Sequence, residues 1–148
     1  MLSDLLFSLR ETEFLFNLFG YISFRSGLSL VTSFFIVLIL MPHWIRVQQS
    51  IFPSGQPIRN DGPDSHFHKK GTPTLGGILI LFAIILSSIL WTSNFSSFNY
   101  ILIMTLVLFG MIGFFDDYQK VKLGKGISSK TKFLSQLLAT LVIYFTIK

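Results

Sequence analysis

The fold is decided by Leu75-Gly76-Gly77-Ile78-Leu79-Ile80-Leu81-Phe82-Ala83-Ile84-Ile85-Leu86-Ser87-Ser88-Ile89-Leu90-Trp91 and, past the polar turn Thr92-Ser93-Asn94, by the run from Phe98 to Phe115. No Asp, Glu, Lys or Arg occurs between Gly71 and Phe115. Crossing a hydrocarbon core of about 30 Å takes roughly 20 apolar residues at about 1.5 Å each. The stretch therefore reads as two membrane spans, 75–92 and 98–115, joined by a tight turn. Working outward, the uncharged stretch Ser26–Ile45 gives another span, about 24–45, and the C-terminal run a fourth, 132–147. The first 20 residues hold Asp4, Arg10, Glu11 and Glu13 among Leu and Phe. They read as a helix lying in the interface, and their acidic start does not fit a secretory signal.

The composition agrees. The 148-residue chain is 51% hydrophobic and 13% charged, against roughly 25% charged in soluble domains. The expected fold is all-α, a polytopic membrane bundle of about four spans with an N-terminal interfacial helix, forming part of one integral membrane domain. Cysteine is absent, which excludes disulfides, thiolate metal sites and a cysteine nucleophile. The last span has about 16 residues and rises only some 24 Å, so the chain is expected to stop before its natural end.

Nine of the 12 Lys and Arg residues lie in segments 46–74 and 116–132, and none in the turn between the middle spans. Basic loops face the cytoplasm, which puts loops 46–74 and 116–131 on that side and accounts for the +5 charge without nucleic acid.

Both loops carry chemistry. All five prolines fall in or beside the first. It contains Arg59-Asn60-Asp61-Gly62-Pro63-Asp64-Ser65-His66, then His68-Lys69-Lys70-Gly71-Thr72-Pro73-Thr74 running straight into a span. Cations followed by Gly, Thr and a helix N-terminus suit an anion, because ammonium groups, free N–H groups and the helix dipole converge. The plainer account makes Lys69 and Lys70 headgroup anchors. His66 and His68 have no third ligand at a fitting spacing, so a metal there is not expected. The second loop opens with Asp116-Asp117-Tyr118-Gln119-Lys120. Two carboxylates at a helix C-terminus oppose the dipole and call for a cation. Lys120, four residues after Asp116, is one candidate; a divalent metal such as Mg²⁺ is the other. Gly110 and Gly113 are expected to let helices approach closely, and Trp44 and Trp91 to sit at the membrane interfaces.

The long first-loop motif resembles that of the phospho-N-acetylmuramoyl-pentapeptide transferases, with Leu75 standing where Met is usual. The aspartate pair resembles the motif of the wider polyprenyl-phosphate N-acetylhexosamine-1-phosphate transferase superfamily. The match runs from about Phe24 to the chain end and would correspond to the N-terminal part of an enzyme of about ten spans. The resemblance implies Mg²⁺-dependent transfer of phospho-MurNAc-pentapeptide from UDP-MurNAc-pentapeptide to undecaprenyl phosphate. The products would be lipid I and UMP, at the inner face of the bacterial cytoplasmic membrane, for peptidoglycan synthesis. It implies catalytic roles for Asp116 and Asp117, both also metal candidates, with Asp116 toward the lipid phosphate proton. Lys69, Lys70, Thr74, Asn60, Asp61, His66 and Lys120 would bind substrate or shape the site. The isolated chain is expected to be inactive, and a homodimer stays open. The alternatives are a non-catalytic module binding anionic lipid or a partner, and a related amino-sugar-1-phosphate transferase.

Overall fold

The structure, a computed structural model, describes residues 2–11, 13–53 and 75–148. Among these every regular element is helical, and no strand occurs. α1 (Leu2–Ser8) is followed by two 3₁₀ segments, Leu9–Glu11 and Phe14–Gly20. Then come α2 (Ile22–Ile51), α3 (Gly76–Trp91), α4 (Ser97–Leu123) and α5 (Ser129–Ile147). The N-terminal segment is thus a short helix and 3₁₀ turns rather than one interfacial helix. The Phe19 ring stacks on Trp91 at 6.0 Å and meets Phe24 edge-on at 5.4 Å, which docks the segment on the start of α2 and the end of α3.

α2 and α3 pack antiparallel, and polar pins hold both ends. Trp44 Nε1 donates to the Leu75 carbonyl at 3.1 Å, and Trp91 Nε1 to Thr32 Oγ1 at 2.9 Å. Beside the second pin, Ser29 Oγ donates to the buried Ser87 Oγ at 3.3 Å. Both tryptophans therefore hydrogen-bond across helices, a task that an interface anchor alone would not need. α4 returns along α3 through the turn at Asn94, and their close approach is at Gly110. A Cβ there would stand 2.5 Å from Leu81 Cδ1. Gly113, expected to do the same, has nothing within 4 Å among the described residues.

Among the described residues two helices are long and apolar enough to cross a membrane, α2 with 30 residues and α4 with 27. At 1.5 Å per residue they reach about 45 and 40 Å, beyond the ~30 Å hydrocarbon core. α3 is apolar but has 16 residues. α5 starts at Ser129 rather than 132, because the Ser128 side chain accepts from the Thr131 N–H and caps it. Large apolar side chains point outward along these helices, among them Phe34, Leu38, Phe82, Phe98 and Leu138. Among the described residues buried apolar side chains are few, Leu75, Leu79, Ala83 and Ala139. Such faces need lipid or further apolar helices around them, as in an all-α membrane bundle.

Both long helices outrun the spans read from sequence. α2 continues through Pro42 to Ile51, so Arg46 is helical and donates to the Pro42 carbonyl at 3.3 Å. Pro42 removes one ladder donor but does not end the helix. α4 continues to Leu123 and closes on Gly124 with φ +73°, a left-handed cap that glycine takes without strain. The ends of α2 and α4, the start of α3 and the start of α5 therefore gather at one end of the bundle.

The Gly110 contact is testable. Gly110→Val should lower unfolding stability in detergent by about 1–3 kcal/mol, Leu81→Ala should restore part of it, and Gly113→Ala should be neutral.

Candidate functional site

At that end lies the sequence Asp116-Asp117-Tyr118-Gln119-Lys120. α4 runs on for almost two turns past Asp117, and its last turn holds Lys120 and Lys122. The expectation that the carboxylates sit at the negative end of the helix dipole is therefore corrected. That effect fades within the last turn, and the lysines there have the favourable sign. What governs Asp116 is instead its neighbours.

Asp116 is buried, its side chain 7% exposed. Its Oδ2 meets Lys120 Nζ and Lys132 Nζ, each at 2.9 Å, and its Oδ1 accepts the Ile127 backbone N–H at 2.9 Å. Both oxygens are thus occupied. The loop after α4 folds back over the carboxylate, and the approach is so close that a Cβ on Gly126 would lie 2.5 Å from Asp116 Oδ1. Only glycine leaves room for both the oxygen and the Lys120 stem, which would be 3.0 Å away. Asp116 therefore fastens three pieces of chain: α4, the 124–128 turn and the first turn of α5.

Asp117 faces a different way, as neighbours about 100° apart on a helix must. Its Oδ1 accepts from Lys120 Nζ at 3.0 Å, and its side chain stays 35% exposed. The pair divides its tasks: one carboxylate is locked inside, the other is held at the surface by the shared lysine. Tyr118 joins this end of α4 to α2. Its ring meets Phe52 edge-on at 6.2 Å and stacks on Phe114 at 6.0 Å, while Lys122 Nζ lies 5.8 Å from its centroid. Gln48, one turn before Phe52, is 5% exposed, and its Nε2 finds no partner among the described residues.

The electrostatics follow from these contacts. The Asp116 pKa is drawn from its ordinary 3.8 to about 2, first by the Lys132 hydrogen bond and then by Lys120. Burial opposes the shift, and the Ile127 N–H adds to it. The Lys120 pKa is raised by its bonds to Asp116 and then Asp117, against desolvation. A charge cluster this tight is electrostatically preorganised rather than acid–base active near neutral pH.

Sequence spacing found Asp116, Asp117 and Lys120, and the structure brings the three together. It missed Lys132 as a partner, because 16 intervening positions carry no helical register. Gly126 was visible as a glycine in a basic loop, but its closeness to Asp116 was not. Lys69, Lys70, Thr74, Asn60, Asp61 and His66 lie outside the described residues. Among the described residues no three His, Cys, Asp or Glu side chains cluster to hold a metal.

Asp116 is depressed in the folded chain, so its stabilisation is complete above pH ~4 and is lost as pH falls through about 2. The shift corresponds to roughly 2 kcal/mol. Unfolding free energy measured against pH should fall by that amount between pH ~4 and ~2 in the wild type and stay flat there in Asp116→Asn. Parallel curves would mean the lysines do not hold this carboxylate. Gly126→Ala should destabilise by about 1–2 kcal/mol and weaken hydrogen-exchange protection at the Ile127 amide.

No family model matches the chain. Comparison with curated proteins finds 43% identity over 149 aligned positions, 99% of this chain, to the phospho-N-acetylmuramoyl-pentapeptide-transferase of Desulforapulum autotrophicum. The chain spans 41% of the length of that relative. The resemblance read from two loop motifs thus extends over nearly the whole sequence, and the chain is similar to this phospho-N-acetylmuramoyl-pentapeptide-transferase over 41% of that protein's length.

Proposed function

We propose that these helices carry part of the site of a membrane phosphosugar transferase. In the whole protein it would move phospho-MurNAc-pentapeptide from UDP-MurNAc-pentapeptide to undecaprenyl phosphate, releasing UMP and forming lipid I. The observation that supports this most is the Asp116–Asp117–Lys120–Lys132 cluster at the bundle end where α2 leads into α3 and α4 into α5. A diphosphate donor and a lipid phosphate acceptor must meet at a membrane surface with their negative charge balanced, and catalysis of such transfers is mostly positioning and electrostatics. The proposed side is the cytoplasmic face of a bacterial inner membrane, following the basic loops.

Within that reading the side chains divide the work. Asp117 is the carboxylate with exposed surface and fits one hard-oxygen position on Mg²⁺, which typically takes one or two carboxylates together with substrate phosphates. When bound, the ion would neutralise phosphate charge. Asp116 fits a metal less well, since both of its oxygens already accept hydrogen bonds. Its expected part as proton acceptor is replaced in this proposal: a carboxyl at about 2 is a weak base, and Asp116 instead fixes where two ammonium groups stand. Lys120 and Lys132, 34% and 41% exposed on their side chains, present those charges to a phosphate. Lys69, Lys70 and Thr74, on the segment entering α3, are proposed to meet the nucleotide part of the donor, with Asn60, Asp61 and His66 shaping the loop.

UMP release by the whole protein carrying this chain tests the proposal. Asp117→Asn should cost about 10²–10³ in turnover. Asp116→Asn should also lower turnover, with a shift in KM for both phosphate substrates as the lysines lose their seat. Near-normal turnover in both variants would refute the reading and leave a non-catalytic lipid-binding module. A transferase using another amino-sugar donor would show UMP release with that donor alone. The 148 residues purified by themselves are expected to release none.

A further inference from the structure

At the opposite end of the bundle, between the start of α2, the end of α3 and the start of α4, lies a cleft of about 360 Å³. Arg25, Ser26, Ser88, Trp91, Ser93 and Asn99 are among the residues that line it, and none of the lining residues is acidic. Arg25 is half-buried, and its Nε is shielded from solvent with no hydrogen-bond partner among the described residues. Among the described residues the Ser26, Ser88 and Ser93 hydroxyls and the Asn99 amide also make no side-chain hydrogen bond, while Ser29 beside them is engaged with Ser87. The cleft is rigidly framed, because Trp91 is tied to Thr32 and stacked on Phe19.

A half-buried guanidinium at the end of an apolar bundle, its Nε without a partner among the described residues and no acid among the residues lining the cleft, calls for an anion. The donor set specifies which. A planar fork of N–H groups matches two oxygens of one phosphate, and three hydroxyls and an amide can serve the remaining oxygens. We propose that this cleft binds a phosphate ester, with Arg25 as its main contact and Ser88, Ser93 and Asn99 completing the shell. The cleft is separate from the Asp116 cluster and does not depend on the proposed transferase reaction. Its position at the end of long apolar helices suits the headgroup of an anionic phospholipid; a soluble phosphate ester offers the same chemistry.

The test uses the whole protein carrying this chain, delipidated in maltoside detergent, dosed with phosphatidylglycerol and examined by native mass spectrometry with and without millimolar glycerol 1-phosphate. The wild type should retain the lipid. Arg25→Gln should weaken retention at least about tenfold, the loss expected for a charge-assisted contact, and Arg25→Lys by less. Ser88→Ala with Asn99→Ala, which keeps the charge and avoids any folding defect of the arginine variant, should weaken it about threefold. Asp117→Asn should leave it unchanged. Displacement of the lipid by glycerol 1-phosphate assigns soluble esters as the occupant; resistance assigns the headgroup. Equal retention in the wild type and the Ser88/Asn99 variant, or in the wild type and a folded Arg25→Gln protein, overturns the proposal.

Discussion

A carboxylate taken out of water must be repaid oxygen by oxygen, and Asp116 meets that demand with two ammonium groups and one backbone N–H. The rest of this end of the molecule is arranged to supply them. α4 must run on past its apolar part so that Lys120 stands one turn beyond Asp116. The turn after Leu123 must reverse at once, which Gly124 allows with its positive φ. The returning chain must come within contact of the carboxylate, which Gly126 allows by having no side chain. α5 must then start with Lys132 at the close of its first turn, and the Ser128 cap sets that register. Losing any one of these leaves a buried charge short of a partner, at a cost larger than the net value of the pair.

The same arrangement explains why two adjacent aspartates differ. Asp116 is spent on structure: its pKa near 2 keeps it ionised and paired across the physiological range. Asp117 shares Lys120 but keeps exposed surface, so it is the carboxylate with coordination left to give. Chemistry and scaffold are thus coupled through one lysine. A change at Asp116 that looks structural would also move the charge beside Asp117.

The two ends of the bundle contrast in sign and in state. In the Asp116 cluster, two carboxylates meet two ammonium groups. At the Arg25 end, a shielded guanidinium faces hydroxyls and an amide with no acid among them. The α2–α3 pair connects the two ends, pinned near one by Trp44 and near the other by Trp91. Those bonds hold the helix ends in place where apolar packing between lipid-exposed faces gives little directional constraint.

The sequence alone determined the class of fold, because a charge-free run from Gly71 to Phe115 admits few solutions but apolar helices, and the two motifs carried the family resemblance. It also paired Asp116 with Lys120, since four residues on a helix is a local distance. Helix ends were legible only roughly: apolarity stops at Ile45 and Phe115, whereas hydrogen-bond ladders run on until a cap or a glycine stops them, at Ile51 and Leu123. Tertiary structure decided the rest. That Lys132 and the Ile127 N–H reach Asp116, that Gly110 rather than Gly113 meets its neighbour, and that the Arg25 Nε is shielded without a partner among the described residues all depend on how separate helices lie against one another. Spacing along a chain encodes no such distance.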